Sequence, residues 1–239
     1  IPVLKDNIVW VWTLEDKAVV VDPALTEPVM DWLEQRQLNL IAVLQTHHHS
    51  DHIGGTEGLI KHWTDAIVVA SANDTARIPF QTLPVRDGEE VSLLGSSLKV
   101  LEVPGHTNAH LAYFLSSDER GGRPPAIFCG DTLFAAGCGR LFEGSAEEMH
   151  NSLQLLSSLP EDTEVYCAHE YTESNLRWAN ALKPENIHIK KRLEEVIELR
   201  KKGLSTLPSN IAKERLTNLF IQVENSHEFS KLRHHKDKW

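Results

Sequence analysis

Apolar residues recur in short runs through the first 170 positions, separated by Gly, Pro and acidic residues, and this pattern predicts many short strands. The predicted strands are 8–12, 18–21, 40–45, 66–70, 91–94, 98–103, 111–115, 126–129 and 164–167. Helical spacing of apolar residues predicts helices over 27–37, 54–63 and 145–159. Thr26 would cap the first of these helices. Because strands first alternate with helices and then follow one another directly, we predict a layered α/β fold.

Beyond position 171 the spacing of apolar residues becomes helical throughout. The predicted helices of this part are 176–182, 187–202, 211–223 and 229–232. The charge changes sign at the same place. Residues 1–170 carry 10 Lys and Arg against 25 Asp and Glu, a net charge of −15, whereas 171–239 carry 14 against 9, a net charge of +5. We therefore expect two domains, one over 1–171 and a small helical one over 172–239.

The overall composition excludes several classes of protein. The formal net charge of −10 argues against a nucleic-acid partner, because an acidic surface repels a phosphate backbone. No apolar run approaches the ~20 residues that span a membrane, so no membrane partner is expected. The three cysteines, Cys129, Cys138 and Cys167, are odd in number and widely spaced, which is not typical of a disulfide framework. A reducing compartment follows, and we expect the cytoplasm.

Four of the predicted strands run directly into residues that can bind a metal ion. The strand 40–45 leads into Thr46-His47-His48-His49-Ser50-Asp51-His52, and three later strands lead to His106, Asp131 and His169. Sites in layered α/β folds assemble at strand ends and in the loops that follow them. A single His-x-His is a weak signal, but four strand ends that each deliver His or Asp predict a metal centre.

The spacing of these side chains suggests a division between two metal ions. Side chains two apart in extended chain point the same way, so His47 and His49 can share one ion while His48 points elsewhere. Asp51 and His52 follow in a turn and can serve a second ion. The expected sets are His47, His49 and His106 at one ion, Asp51, His52 and His169 at the other, and Asp131 as a bridge between the two.

Imidazole and carboxylate ligands without thiolate suit zinc first, with iron or manganese as alternatives. Water that bridges two such ions becomes a nucleophile, because coordination lowers its pKa from 15.7 towards about 7. Asp131 would then act as the bridging catalytic carboxylate, and Asp51 would orient the water as well as bind metal. No G-x-S-x-G nucleophile elbow occurs in the chain. The eight remaining histidines are expected on the surface or in packing, with one alternative left open: His110, four residues past His106, could support a metal ligand.

The histidine-rich motif together with His106, Asp131 and His169 resembles the metallo-β-lactamase superfamily. Three further stretches narrow the resemblance to its glyoxalase II family, and it then covers essentially the whole chain. These stretches are Gly130-Asp131-Thr132-Leu133-Phe134-Ala135-Ala136-Gly137-Cys138-Gly139-Arg140, Cys167-Ala168-His169-Glu170-Tyr171-Thr172 and Leu232-Arg233-His234-His235-Lys236-Asp237.

The resemblance implies a four-layer αβ/βα sandwich followed by a small helical C-terminal domain. It also implies hydrolysis of the thioester S-D-lactoylglutathione to D-lactate and glutathione, the second step of methylglyoxal detoxification, by a metal-bridged hydroxide. The family's glutathione contacts correspond to Arg140, Tyr171, Arg233 and Lys236. Phe142 stands where relatives often have Tyr, so one hydroxyl contact to glutathione is expected to be absent. A monomer is the default expectation.

Other functions on the same fold remain open from the sequence. A lactonase or β-lactamase would not need the basic residues at 140, 233 and 236. A persulfide dioxygenase would use one iron ion and would have an incomplete second ligand set, whereas this chain offers a full one. Nucleic-acid processing is disfavoured by the acidic first 170 residues. A non-enzymatic scaffold is disfavoured because no ligand position is substituted.

Overall fold

Two β-sheets packed face to face form the centre of the computed structural model, which describes residues 1–239. In chain order the strands are β1 (Pro2–Val3), β2 (Asn7–Ile8), β3 (Trp10–Leu14), β4 (Lys17–Val21), β5 (Asn39–Leu44), β6 (Ile67–Ser71), β7 (Leu83–Val85), β8 (Glu90–Leu93), β9 (Ser96–Glu102), β10 (Leu111–Leu115), β11 (Ala126–Gly130), β12 (Leu133–Phe134), β13 (Gly137–Cys138), β14 (Glu164–Cys167) and β15 (Ser209–Asn210). The first sheet has the order β3-β4-β5-β6-β7, and the second has the order β15-β14-β11-β10-β9-β8. Two small hairpins, β1-β2 and β12-β13, stand apart from them.

The chain forms nine α-helices. They are α1 (Thr26–Glu34), α2 (Ser50–Ile53), α3 (Thr56–His62), α4 (Ala146–Ser157), α5 (Thr172–Leu182), α6 (Ile187–Lys201), α7 (Ile211–Thr217), α8 (Leu219–Gln222) and α9 (Ser226–Asp237). Of these, α1 and α3 pack on the outer face of the first sheet, and α4 with most of the later helices packs on that of the second. None of these helices combines the length and the apolar character that crossing a bilayer requires.

Strand direction places the carboxyl ends of several strands at one edge of the sandwich. In the first sheet β4, β5, β6 and β7 run parallel, and only β3 is antiparallel to its neighbour. In the second sheet β11 and β14 form the one parallel pair. Since β9 and β11 are both antiparallel to β10, β9 runs in the same direction as β11. Loops that leave β5, β9, β11 and β14 can therefore converge, and these loops carry the residues of the predicted metal centre.

The alternation of side chains along each strand builds four layers. In β4, Val19 and Val21 face the second sheet, whereas Ala18 and Val20 face α1 and α3 on the other side. Between the sheets, β10 contributes the fully buried Tyr113. Because both faces of the central strands are covered, their sequences read as continuous apolar runs rather than as a polar alternation. The predicted α/β class and four-layer αβ/βα arrangement are confirmed.

The C-terminal helices share a hydrophobic core with the outer face of the second sheet. One continuous cluster joins Ile127 of β11 and Met149 of α4 to Trp178, Phe220 and Phe229 of the C-terminal helices. Trp178 and Phe220 stack with ring centroids 5.1 Å apart. The C-terminal segment is helical, as predicted, and it adds its layer to an existing core. The division into domains at 171 stays a prediction.

Several local predictions differ from the structure. Thr26 does not cap α1: the helix starts at Thr26 after an extended Leu25, and the Thr26 hydroxyl donates to Gly55 O at 3.1 Å. The predicted helix 211–223 is two helices, because Asn218 is extended and caps the second of them. The final helix runs over 226–237 rather than 229–232, since most of its residues are polar and only its two apolar positions gave a signal.

Phe229→Ala should lower the free energy of unfolding by about 3–5 kcal/mol, because truncation leaves a cavity in a fully buried position of the shared cluster. Urea denaturation followed by tryptophan fluorescence and circular dichroism measures this change. If the core is continuous, both signals should report one transition.

Ile187→Ala is the matched control, since this side chain belongs to the same helical segment but is 73% exposed. Its free energy of unfolding should stay within about 0.5 kcal/mol of the unsubstituted protein. Two separate transitions, of which Phe229→Ala moves only one, would contradict the continuous core and favour the two-domain division.

Candidate metal centre

The loop that leaves β5 is fixed to the end of the neighbouring strand β4. Asp22 directly follows β4 and accepts hydrogen bonds from Thr46 N at 2.8 Å and Thr46 Oγ1 at 2.6 Å. Its second oxygen also accepts from His52 Nδ1 at 3.0 Å. One buried carboxylate therefore fixes both the start and the end of the histidine-rich motif.

Three imidazoles come together at one side of the centre. His47 Nε2 and His106 Nε2 each lie 3.0 Å from His49 Nδ1. His47 and His106 are buried, and His49 is partly exposed to the cavity above them. The structure thus groups the three residues that the spacing argument assigned to one ion.

Asp51, His52 and His169 form a second group. Asp51 Oδ2 lies 3.7 Å from His52 Nε2 and 3.6 Å from His169 Nε2. The prediction that Asp51 and His52 lie in a turn is wrong, because both lie in the short helix α2. The helix brings Asp51 and His52 to His169, while the His52 ring also lies 4.0 Å from that of His47 in the first group, so the two groups adjoin.

The carboxylate of Asp131 lies between the two groups. Its Oδ2 is 3.4 Å from His106 Nε2 in the first group. Its Oδ1 is 3.3 Å from His169 Nε2 and 3.5 Å from His52 Nε2 in the second. A carboxylate that turns one oxygen to each group has the geometry that a bridging ligand requires.

Four of the histidines use one ring nitrogen to contact an oxygen atom outside the centre, which leaves the other ring nitrogen pointing into the centre. His106 Nδ1 donates to Arg140 O, and His169 Nδ1 donates to Asp6 Oδ1, each at 2.8 Å. His47 Nδ1 lies 3.0 Å from Thr46 Oγ1. Together with Asp22 on His52, these contacts fix each ring so that its Nε2 points inward.

The polar atoms at the centre fit a bound cation. His52 Nε2 and Asp131 Oδ1 are both buried and have no hydrogen-bond partner. Buried polar groups are normally paired, so unpaired atoms that face one another call for a ligand between them. Nitrogen and carboxylate oxygen donors without thiolate are the chemistry of zinc, iron or manganese sites.

Burial and neighbouring charges shift the pKa values of the donor residues in different directions. Burial lowers the pKa of His47 well below its usual value and that of His49 to about 4, so both rings are neutral. Burial alone would raise the pKa of Asp131, but the charges of His52 and His169 beside it hold it well below its usual range. Burial likewise opposes charge on His52, yet the carboxylates of Asp131 and Asp22 outweigh it and raise the pKa of His52 to about 9. The centre therefore attracts positive charge.

Three residues that support the centre give little or no signal in the sequence. Asp22 follows β4 in the same way that Asp131 follows β11, so the strand-end rule could have found it. Asp6 gave no signal, because its partner His169 is 163 positions away. For His110 the sequence leaves packing and support of a ligand open, and the structure shows the second: its ring stacks on His47 at 4.7 Å, and its Nε2 accepts from Asp131 N at 3.1 Å.

A cavity of about 750 Å³ opens above the centre. The proposed ligands His49, Asp51, His106, Asp131 and His169 line its floor. Phe142 lies at its mouth, 63% exposed, with its ring centroid 5.5 Å from that of His49 and 5.2 Å from that of His106. An aromatic side chain without a hydroxyl thus covers one side of the first group of histidines.

The four residues expected to bind substrate all line this cavity, but their surroundings differ. Arg140 is largely free, with 66% of its side chain exposed and Asp237 at 3.7 Å. Lys236 lies over the Trp178 ring at 4.9 Å, and burial beside Arg233 lowers the pKa of Lys236 to about 8. The ring of Tyr171 stacks flat on His169 at 4.8 Å.

Arg233 is buried, and its guanidinium already interacts with other residues of the protein. Its Nη1 donates to Cys138 O at 3.0 Å, and its Nη2 lies 3.0 Å from Asp237 Oδ1. Its guanidinium carbon lies 5.1 Å from the centre of the Phe220 ring. Arg233 therefore joins the last helix to the segment that follows Asp131, in addition to lining the cavity.

Comparison with known proteins covers both parts of the chain. Residues 2–169 match the family model of the metallo-β-lactamase superfamily, and residues 170–239 match that of the hydroxyacylglutathione hydrolase C-terminus. A curated relative, hydroxyacylglutathione hydrolase of Prochlorococcus marinus (strain MIT 9303), is 59% identical over 239 residues, which are 100% of this chain and 92% of the relative.

Two solved structures extend the comparison to the fold. The crystal structure of ETHE1 from Myxococcus xanthus matches with a TM-score of 0.71 and 27% identity over 95% of this chain and 85% of that one. The crystal structure of TTHA1623 in a di-iron-bound form matches with a TM-score of 0.55 and 29% identity over 71% of this chain and 89% of that one. With both family models and a relative of this identity along its whole length, the chain belongs to the metallo-β-lactamase superfamily and, within it, to the hydroxyacylglutathione hydrolases.

Proposed function

We propose that this protein hydrolyses S-D-lactoylglutathione to D-lactate and glutathione, the second step of methylglyoxal detoxification. The observation that carries the proposal is the cavity of about 750 Å³, which joins the His and Asp cluster to a wall of cationic side chains. A thioester placed there would have its carbonyl over the cluster and its peptide carboxylate against the cations. The curated relative named hydroxyacylglutathione hydrolase matches this chain over its whole length, and it supports the same substrate class.

The seven clustered residues would hold two divalent metal ions. His47, His49 and His106 would bind one, Asp51, His52 and His169 the other, and Asp131 both. Bound metal would supply a Lewis acid for the thioester carbonyl and an activated water as nucleophile. Zinc is proposed first from the donor set, and the di-iron form of a related structure keeps iron as an alternative beside manganese.

The protein's own residues prepare the centre for this chemistry. Asp51 would orient the attacking water as well as bind metal, and Asn7 Nδ2 holds its Oδ2 at 3.1 Å. Asp6 keeps the His169 ring fixed while Tyr171 covers its face. The departing glutathione thiolate is a weak base, so no general acid is required.

Glutathione would bind along the basic wall. Arg140 and Lys236 offer charges with little internal pairing, and Tyr171 would donate its hydroxyl to the peptide backbone of the substrate. Arg233 would contribute the remaining charge to the glycine carboxylate while it holds Asp237 and Cys138. The overall net charge of −10 therefore does not describe the field that this substrate would meet.

The setting completes the proposal. Free buried thiols at Cys129, Cys138 and Cys167 suit a reducing compartment, and we propose the cytoplasm. We further propose that the protein acts as a monomer with a small-molecule substrate and without a nucleic-acid or membrane partner.

Purified protein should release thiol from S-D-lactoylglutathione, detected with a thiol reagent. A lactone, a β-lactam and glutathione persulfide serve as parallel substrates. Turnover of one of these three with none of the thioester would contradict the proposed function. Elemental analysis of the same preparation identifies the metals and should give two per chain.

Asp131→Asn should bind fewer than two metals per chain and lose activity together with metal. Loss of a residue that only orients a metal ligand lowers metal affinity or activity about 10–100-fold. Loss of the bridging ligand itself should therefore lower activity more than about 100-fold. Elemental analysis and thiol release measure both effects. The control is Glu173→Gln, which makes the same change from carboxylate to amide at a residue that pairs with Arg177 on α5. Full activity with two metals in Asp131→Asn would refute the bridge.

The KM for the thioester should rise as the pH increases through about 8. The pKa of Lys236 is lowered to about 8 by burial beside Arg233, so its charge is present below this pH and is lost above it. Lys236→Arg keeps its charge at every pH and should flatten the profile. Lys236→Met should show a raised KM throughout. An identical pH profile of KM in all three proteins would show that Lys236 does not attract the substrate.

A further inference from the structure

The short hairpin β12-β13 joins the bridging carboxylate of Asp131 to the cavity residue Arg140. Leu133 pairs with Cys138 and Phe134 with Gly137, so only Ala135 and Ala136 form the turn. Ala136 has a φ of 56°, in the left-handed region that favours glycine. A hairpin of this length with alanine at that position has little stability of its own.

Side chains from the C-terminal helices hold the backbone of this hairpin. Asn175 of α5 donates to Ala135 O at 2.9 Å, and Ala136 N donates to Glu214 Oε2 of α7 at 2.7 Å. The amide of Asn218 donates to Gly137 O at 2.9 Å and to Phe134 O at 3.3 Å. Arg233 holds the next carbonyl, that of Cys138. Every residue from 134 to 138 thus gives one backbone polar group to the C-terminal helices.

The holding side chains are themselves fixed. Arg192 Nη2 lies 2.7 Å from the buried Glu214 Oε1, and Asn218 Nδ2 lies 3.2 Å from Glu214 Oε2. The Asn218 carbonyl accepts from Phe220 N at 3.1 Å and caps α8. A Cβ added to Gly137 would lie 2.4 Å from Asn175 Nδ2, so the two segments are in direct contact. The hairpin therefore cannot shift without the helices.

The position of the hairpin decides the position of both sides of the cavity. The Phe134 ring lies 5.7 Å from His169 and 5.2 Å from Tyr171 between ring centroids. Arg140, which follows the hairpin, accepts the Nδ1 proton of His106 through its carbonyl and presents its guanidinium to the cavity. A shift of the hairpin would move the Arg140 charge and the Phe134 wall together.

We propose that Asn218 and Glu214, with Asn175, are positioning residues: they hold the hairpin 133–138 in a conformation it would not keep alone, and so place Arg140 and Phe134 for substrate binding. Asn218 and Glu214 are fully buried and do not line the cavity. Their effect on a substrate must therefore pass through the hairpin. This inference rests on the proposed function, because the substrate is the glutathione thioester.

Asn218→Ser tests the proposal directly. Serine keeps an oxygen to cap α8 but is too short to reach Gly137 O and Phe134 O. We expect the KM for S-D-lactoylglutathione to rise about tenfold with kcat within about twofold, because substrate positioning is lost while the centre stays intact. Metal content should remain that of the unsubstituted protein.

Asn186→Ala is the matched control. Asn186 caps α6 in the same helical segment, where it accepts from His188 N and Ile189 N, and it makes no contact with the hairpin. It should lower the melting temperature and leave KM unchanged. If Asn218→Ser lowers the melting temperature with the same unchanged KM, its role is structural only and the proposal is overturned.

Ala136→Gly should partly reverse the rise in KM that Asn218→Ser causes, and no such reversal is expected if Asn218 only stabilises the fold. Glycine adopts the left-handed conformation without strain, so the hairpin needs less support. The double variant Asn218→Ser with Ala136→Gly should recover part of the lost affinity. A KM as high as that of Asn218→Ser alone would contradict a role of Asn218 in holding the hairpin.

If Asn218→Ser yields no soluble protein, Glu214→Asp replaces it. Aspartate keeps a negative charge near Arg192 but withdraws from Ala136 N, and the same rise in KM is expected. An unchanged KM there would overturn the inference. Absence of thioester hydrolysis in the unsubstituted protein would instead refute the proposed function, so the two failures are distinguishable.

Discussion

The burial of the Asp131 carboxylate among inward-facing imidazoles is the constraint on which the rest of the structure depends. A buried charge is costly unless it is paired, and here the pairing comes from several distant parts of the chain. His106 follows β9, His169 follows β14, and His52 lies in α2 after β5. In this chain the requirement is met because the sandwich brings the ends of these strands to one edge. The fold and the centre are thus two aspects of one arrangement.

Much of this arrangement could be predicted from sequence, because it follows from strand ends. Buried strands can be recognised as apolar runs, and so can a His or Asp that directly follows them. The grouping of ligands around His47 and Asp131 could therefore be predicted. The partners that orient these ligands were less accessible. Asp6 meets His169 across the whole chain, and the carbonyl of Arg140 carries no sequence signature at all.

The hairpin at 133–138 shows where local reasoning ends. Ala135 and Ala136 carry no turn signal, and nothing nearby in sequence explains a left-handed alanine. Its conformation is determined by Glu214 and Asn218, about 80 positions later. Arg233 is a similar case, since its guanidinium is buried against Cys138 O, 95 positions earlier, and no neighbouring residue indicates that contact. Interactions of this kind depend on the packed helices and cannot be read from a window of neighbouring residues.

The shared core and the held hairpin also bear on how such a protein can be recombined. A C-terminal segment transplanted from a relative would bring its own apolar faces and its own side chains towards the hairpin. Residues 133–138 and 172–239 therefore constitute a single unit of exchange, although more than thirty positions separate them in the sequence. Chimaeras that respect this unit would change the basic wall of the cavity and leave the strand ends at the metal centre untouched.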